Sequence, residues 1–362
     1  MNNRVRLNWV LSHGNYTTTV ELIHKKSRQR YRYSATQGYG SFGFLWRGNF
    51  AWTESDPGKA AFNGDYTWEL TAKPTNGIGG DLRASGDFKL TRTPKVHDFN
   101  NNGSPDLLVR DNRGDLRRLD TMWNVWNSKV VPVDNPEYVS GGWQQYNQIE
   151  AVGNVAGTSA PDVVSRDASG VLWLHQGTGE EPKALANRLR IGPGWQVYTE
   201  LTGGSDLDGD GRADLVATDK RGDLWFYKGT GSATEPFAPR RKTGFGWGVY
   251  NHLTATGNIA GAAAGDLIAR DKDGVLWLYL GNGDGTFAQR IKVGGGWKGY
   301  TDIVAIGDAN KDGRPDLYAT HGPNRTAYFY AGMGNWRTPF ANRWSTGLLV
   351  GNPYGIVFDR VS

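Results

Sequence analysis

The sequence predicts an all-β protein: a five-bladed β-propeller preceded by a small antiparallel sandwich. Three observations predict it. A Gly-Trp-x-x-Tyr motif recurs at Trp143, Trp195, Trp247 and Trp297, with spacings of 52, 52 and 50 residues, and a fixed period of that length marks stacked supersecondary units. The composition is turn-rich and aromatic, with 51 glycines, 12% aromatic residues and only 21% charged residues, and the repeats carry no helical periodicity. Residues 1–94 do not share the beat and alternate apolar with polar instead.

In chain order, the first segment offers strands VRLNWVLS, TTTVELIH, FGFLWRGN, DYTWELTA and DFKLTR, with Gly-rich turns between them. The run HKKSRQRYR at 24–32 carries Lys25, Lys26, Arg28, Arg30 and Arg32. Alternation would put the three arginines on one strand face, either a docking stripe for a polyanion or partner subunit, or a charged edge strand that discourages sheet pairing. TRTPKVHD is the junction, so the predicted domains are 1–94 and 95–362. Of the net charge of +5, residues 1–95 hold +7 and the remainder −2. Nucleic acid is therefore not an expected partner of the larger domain.

Each later copy reads alike. A strand such as TDIVAIGD is followed by an acidic loop and a second strand, DLLVRD, DVVSRD or DLIARD. A Gly-ending turn, DNRG, DASG, DKRG or DKDG, leads to DLWFY or VLWLY, and a loop then leads to an outer strand such as RIKVG. Four strands joined by short turns make a blade. The loop-closing aspartates Asp106, Asp162, Asp214, Asp266 and Asp316 keep the period, which gives five copies. YGIVFD, beginning at Tyr354, resembles the strand after Gly-Trp-x-x-Tyr and is expected to close the ring beside the first copy.

The acidic loops set oxygen ligands at positions one, three, five and nine with glycine at six, the way a chain wraps a hard cation. Candidate metal ligands are Asp98, Asn100, Asn102 and Asp106 in copy one, Asp206, Asp208, Asp210 and Asp214 in copy three, and Asp308, Asn310, Asp312 and Asp316 in copy five. Position twelve of the third loop is Ala217, which excludes an EF-hand. Copies two and four, NVAGTSAPD and NIAGAAAGD, have alanine at position three. About three structural Ca2+ ions are expected.

The loop DLDGDGRADL together with GNGDGTF resembles the signature of FG-GAP (VCBS-type, integrin-like) repeats, over roughly residues 95–362. The resemblance implies a calcium-binding propeller; family members are often seven-bladed, and this chain shows five copies. GDYTWELTAKPTNGIGG resembles the end of FlgD-type Ig-like domains, which implies an Ig-like sandwich ahead of the propeller in a secreted bacterial protein. The start, MNNRVRLNW, lacks the apolar core of a signal peptide, so an export signal is expected to have been removed or replaced, and the setting is expected to be extracellular. No run of about 18 apolar residues is present, so membrane insertion is not expected.

With no cysteine there are no disulfides, thiolate metal sites or thiol nucleophiles. The six histidines show no HExxH pairing, and neither a nucleophile elbow nor a Walker loop occurs. Recognition without catalysis is the expected function, lectin-like, with a carbohydrate or cell-surface glycan as partner. Trp143, Trp195, Trp247 and Trp297 with Arg110, Arg166 and Arg270 are the candidate ligand-binding residues, flanked by turn acids Asp111, Asp167, Asp219 and Asp271; an aromatic plate beside donors and acceptors suits a sugar. The same tryptophans also fit a repeated core, the mid-strand Trp173, Trp225 and Trp277 more so. The alternatives are a targeting subunit of a secreted adhesive or toxin assembly, and an accessory domain of a secreted hydrolase.

Overall fold

The computed structural model describes all residues except 1–4, 12–14, 38–40, 47, 51–58, 94, 125–126, 134, 182, 263, 324 and 347–357. Two compact units result, residues 1–93 and 94–362. The only helices among the described residues are three-residue 3-10 turns, and no helix is long and apolar enough to cross a membrane.

In the first unit, β-branched and aromatic residues alternate with polar ones along Tyr16–His24 and Gly64–Pro74, and the two strands pair at the centre of a four-stranded sheet. Arg30–Gln37 and Leu82–Leu90 are its edges. Val5–Val10 and Ser41–Trp46 form a two-stranded ribbon. Val20, Leu22, Phe42, Trp46 and Tyr66 share one buried cluster, and the Tyr66 hydroxyl donates to the Phe62 carbonyl at 2.7 Å. The basic run is divided: Arg28 lies in the hairpin turn at φ 61°, off the strand face expected for it, while Arg30 and Arg32 reach Glu21 at 3.0 and 3.7 Å, and Lys25 reaches Asp87 at 2.7 Å.

In the second unit, each copy that opens with Gly-Trp-x-x-Tyr folds as one four-stranded antiparallel sheet. The glycine before each tryptophan is left-handed, with φ between 81 and 95°, which a side chain would strain. It starts a 3-10 turn whose Trp N–H donates to the hairpin glycine of the preceding copy, Gly114, Gly170, Gly222 or Gly274. The first strands, Tyr146–Gly153, Tyr198–Ser205, Tyr250–Gly257 and Tyr300–Gly307, pack one against the next. The C-terminal Phe358–Val361 pairs with Asp106–Asp111, and the Ser362 hydroxyl accepts from the Ala151 N–H at 3.0 Å. Its register shows that Phe358, not Tyr354, takes the place of the motif tyrosine: Phe358 faces Asp111 as Tyr146 faces Asp167. Residues 354–357 lie outside the described residues.

The predicted fold class needs correction. The described residues form seven sheets, five of four strands, one of five and one of two, so the class is all-β and propeller-like with repeated four-stranded sheets, and the sheets number six to seven, not five. The motif count misses sheets that lack the motif, such as the four-stranded sheet within residues 16–90. Nor is a separate Ig-like sandwich evident. That fold needs two multi-stranded sheets linked by Greek-key connections, whereas here two hairpins lie side by side in one sheet and the second is a ribbon.

Three arginines proposed as ligand contacts are fold elements instead. The Arg110, Arg166 and Arg270 guanidinium groups each donate to two carbonyls of the following copy's turn: Trp143 and Tyr146, Trp195 and Tyr198, Trp297 and Tyr300. Nε of Arg166 and of Arg270 is held by Asn147 and Asn251, and Arg110 is held by Asp359. They clasp sheet to sheet. Replacing Arg166 by Met strips donors from buried carbonyls and is expected to cost about 1–3 kcal/mol, read as a shift of the urea midpoint at unchanged slope.

Candidate ligand and metal sites

The motif tryptophans do not form a surface plate. Trp143, Trp195, Trp247 and Trp297 are 2, 8, 6 and 8% exposed, and they stack on His175, Tyr227, Tyr279 and Tyr330 at centroid distances of 4.4, 4.8, 4.3 and 4.9 Å. The reading of these rings as ligand contacts is therefore corrected: they are core, fixed by the 3-10 turn that points each one inward.

The mid-strand aromatics, expected as core, are half-buried and carry a repeated cation stack. Exposed Arg188, Arg240 and Arg290 lie over Trp173, Trp225 and Trp277 at 4.1, 4.1 and 4.0 Å, and Arg343 lies over Tyr328 at 4.2 Å. Each guanidinium also donates to the hydroxyl of the motif tyrosine, Tyr146, Tyr198, Tyr250 or Tyr300. The indole N–H groups of Trp173, Trp225 and Trp277 donate to Asp167, Asp219 and Asp271 at 2.8, 3.0 and 2.8 Å. Burial alone would raise Asp167, yet hydrogen bonds from Ser169, Trp173 and Val171 hold its carboxyl down at about 2. A fixed acid, an indole and a forked donor thus recur at one place in each of three copies. Copy one has Arg117 in place of the indole, with Nε 3.1 Å from Asp111. The arginines sit in the loop before the outer strand, and the signal available in the sequence was their place directly before that strand, 15, 15 and 13 residues after the preceding tryptophan.

The acidic loops divide into types. The ninth-position aspartate is fully buried in all five copies. One oxygen accepts from its own loop, at the N–H of Phe99, Ala156, Leu207, Ile259 or Ala309. In four copies the other accepts from the glycine after the third strand, Gly177, Gly229, Gly281 or Gly332. Copies two and four, without the metal pattern, keep this pin.

The loops fit a hard cation unequally. In copy three, ligand oxygens of Asp206, Asp208 and Asp210 lie within 4.8 Å of one another; Lys228 also leans on them, touching Asp208 and 2.8 Å from Asp210. In copy five, Oδ1 of Asp308 is buried without a hydrogen-bond partner, Asn310 and Asp312 stand beside it, and Ala331 occupies the place of Lys228. Copy one does not fit. Arg118, 1% exposed, brings its guanidinium to Glu137 at 2.6 Å and to Glu181, while the Asn100 and Asn102 side-chain amides donate to Asp120. A cation from the chain itself stands there, which corrects the expectation for Asp98, Asn100, Asn102 and Asp106 as a metal set.

Inside the second unit a cavity of about 250 Å³ lies between the first strands. Gln148, Glu150, Glu200, His252, Asp302 and Arg360 line it, and nothing in the sequence reading singled them out. Burial pushes Glu150 up to about 8, against hydrogen bonds from Thr202 and Gly203, and pushes Glu200 up to about 7, against the guanidinium groups of Arg360, Arg270 and Arg166.

An FG-GAP-like repeat model matches residues 264–319. No curated protein sequence matches the chain. Similar solved structures include the crystal structure of AofleA from Arthrobotrys oligospora, at 9% identity over 94% of this chain and 90% of that one, TM-score 0.39. A lectin from Burkholderia pseudomallei shares 12% identity over 95% of each chain, TM-score 0.36. The Aleuria aurantia lectin, described as a six-bladed β-propeller with a novel fucose recognition mode, shares 10% over 78% of this chain and 92% of that one, TM-score 0.37.

The buried acids have a consequence for stability. Glu150 holds in the folded state a proton that the unfolded chain releases near 4.5, so its contribution is present below that pH and is lost as pH rises to about 8. Urea midpoints of Glu150→Gln are expected to fall less steeply across this window than those of the parent protein, with the larger gain at its upper end.

Proposed function

We propose that the protein is a non-catalytic, lectin-like recognition protein that binds carbohydrate on a cell surface through its exposed Arg–aromatic clusters. One observation carries this reading: a guanidinium fork held on an indole or phenol face and tied to a tyrosine hydroxyl occurs four times, once in each of copies two to five. A sugar needs donors and acceptors at fixed spacing beside an apolar surface, and these clusters offer all three without further ordering. Stacking on the aromatic removes much of the rotamer freedom that an exposed arginine would otherwise lose on binding. Shallow sites repeated on one molecule gain affinity through multivalency.

Calcium enters the proposal at copies three and five, held by Asp206, Asp208 and Asp210 and by Asp308, Asn310 and Asp312. Bound there, Ca2+ supplies charge neutralisation and rigidity to the turn between first and second strands. Loops of this openness fill where calcium is millimolar, which favours an extracellular setting.

Two measurements test the reading. On a glycan array, the parent protein is expected to bind a defined set of glycans, with Arg240→Ala plus Arg290→Ala lowering apparent affinity about tenfold or more at unchanged far-ultraviolet circular dichroism; no glycan bound by folded protein sinks it. Calorimetric titration with calcium is expected to give two sites, and the stabilisation on adding calcium, about 2.7 kcal/mol per site at a hundredfold excess over Kd and read as a rise in Tm, is expected to shrink in Asp308→Ala.

A further inference from the structure

The five first strands permit a comparison within the molecule. The residue two after the motif tyrosine is Gln148, Glu200, His252 or Asp302 in the four motif copies, and Arg360 in the C-terminal strand. Their neighbours repeat: Tyr146, Tyr198, Tyr250, Tyr300 and Phe358 come two before, and Ile149, Leu201, Leu253, Ile303 and Val361 come directly after. Packing alone asks for the same residue at each equivalent place, as the flanking positions show. Five different polar side chains at one repeated position make an asymmetric ring, and all five line the axial cavity.

The cavity is blind. Val96 crosses one end, against Gly153, Gly204 and Gly307: a Cβ on Gly204, at φ 87°, would lie 3.1 Å from Val96. His97, 4% exposed, lines the same end, and exposed Asn251 and Thr301 line the other. Three polar atoms of the lining have no hydrogen-bond partner: Oε1 of Gln148, which is 8% exposed, Nδ1 of His97 and Nε of Arg360. Buried groups of this kind normally have partners.

The charge balance chooses the sign of a ligand. Asp302 is taken by Arg325. Arg166 and Arg270 donate only to amide and carbonyl oxygens, and no ion pair is seen for them or for Arg360 among the described residues. Glu150 and Glu200 are the facing acids left, and both are pushed upward, so at neutral pH they carry less negative charge than the three guanidinium groups carry positive. His252 is half-buried, and desolvation at the cavity lowers its pKa, which favours the neutral ring. The volume, about 250 Å³, is below the roughly 300 Å³ where pockets for drug-sized ligands begin.

We infer that this blind axial pocket is a second ligand site, distinct from the surface clusters, and that it takes a small hydroxylated carboxylate of about monosaccharide size. Arg360, with its unpartnered Nε, holds the carboxylate, and Gln148, His252 and Glu200 meet the hydroxyls.

Calorimetric titration of the full chain with sodium D-glucuronate, D-glucose and D-glucosamine tests it. Saturable binding of glucuronate is expected, with the neutral and cationic sugars weaker by about tenfold or more, the effect of one charge-assisted contact. Arg360→Gln is expected to lose about tenfold in affinity for glucuronate, and Gln148→Leu, which does not touch ring closure, a smaller but measurable factor. The doubly substituted Arg240→Ala, Arg290→Ala protein is expected to bind glucuronate as the parent does. No saturable binding, equal binding of the three sugars, full retention in both pocket variants, or loss in the surface variant would each overturn the inference. If Arg360→Gln does not fold, Gln148→Leu decides.

Discussion

A buried carboxylate that accepts backbone N–H groups is the interaction on which the repeated sheets depend. The ninth-position aspartate, 0% exposed in every copy, ties its own loop on one side and, in four copies, the glycine after the third strand on the other. Three consecutive strands are thereby held at one point. Its burial is costly for an anion, and the N–H donors offset that cost where no side-chain cation is near. The same arrangement explains why copies two and four, with alanine where the metal pattern needs oxygen, fold like their neighbours. The loop is first a backbone clasp, and the proposed cation binding would be an addition to it.

Cations from the chain itself are distributed around these clasps. Arg118 lies among the acids of copy one, and Lys228 leans on those of copy three. Elsewhere guanidinium groups join one sheet to the next through carbonyls, so several arginines that looked like surface chemistry are structural. The arginines left for the proposed recognition at the surface are those stacked in the open on aromatic faces.

Internal repetition gives this protein its own control. Where five copies agree, as at the motif tyrosine and the pinning aspartate, one structural demand is met five times. Where neighbours agree and one position does not, as at Gln148, Glu200, His252, Asp302 and Arg360, the demand is not packing. The surface clusters and the axial ring differ in this respect: the first repeat nearly unchanged and suit a repetitive ligand surface, the second is unique around its axis and suits one small molecule.

The sequence by itself determined the strands, the period and the turn chemistry, because each depends on residues within a few positions of one another. Alternation along Tyr16–His24, left-handed glycine before tryptophan and the Asp-to-Gly hairpins were all legible that way. It read the arginine run as a charged edge strand, which Arg30–Gln37 is, but carried that strand back to Arg28, which lies in the turn, and it misplaced the closing strand by four residues, since Tyr354 resembles the motif tyrosine that Phe358 replaces. Tertiary structure alone decided which aromatic rings face solvent, which cation sits in which loop, how many sheets form and that five distant polar residues meet on an axis. Those outcomes depend on contacts between residues some fifty positions apart, whose pairing no local pattern encodes.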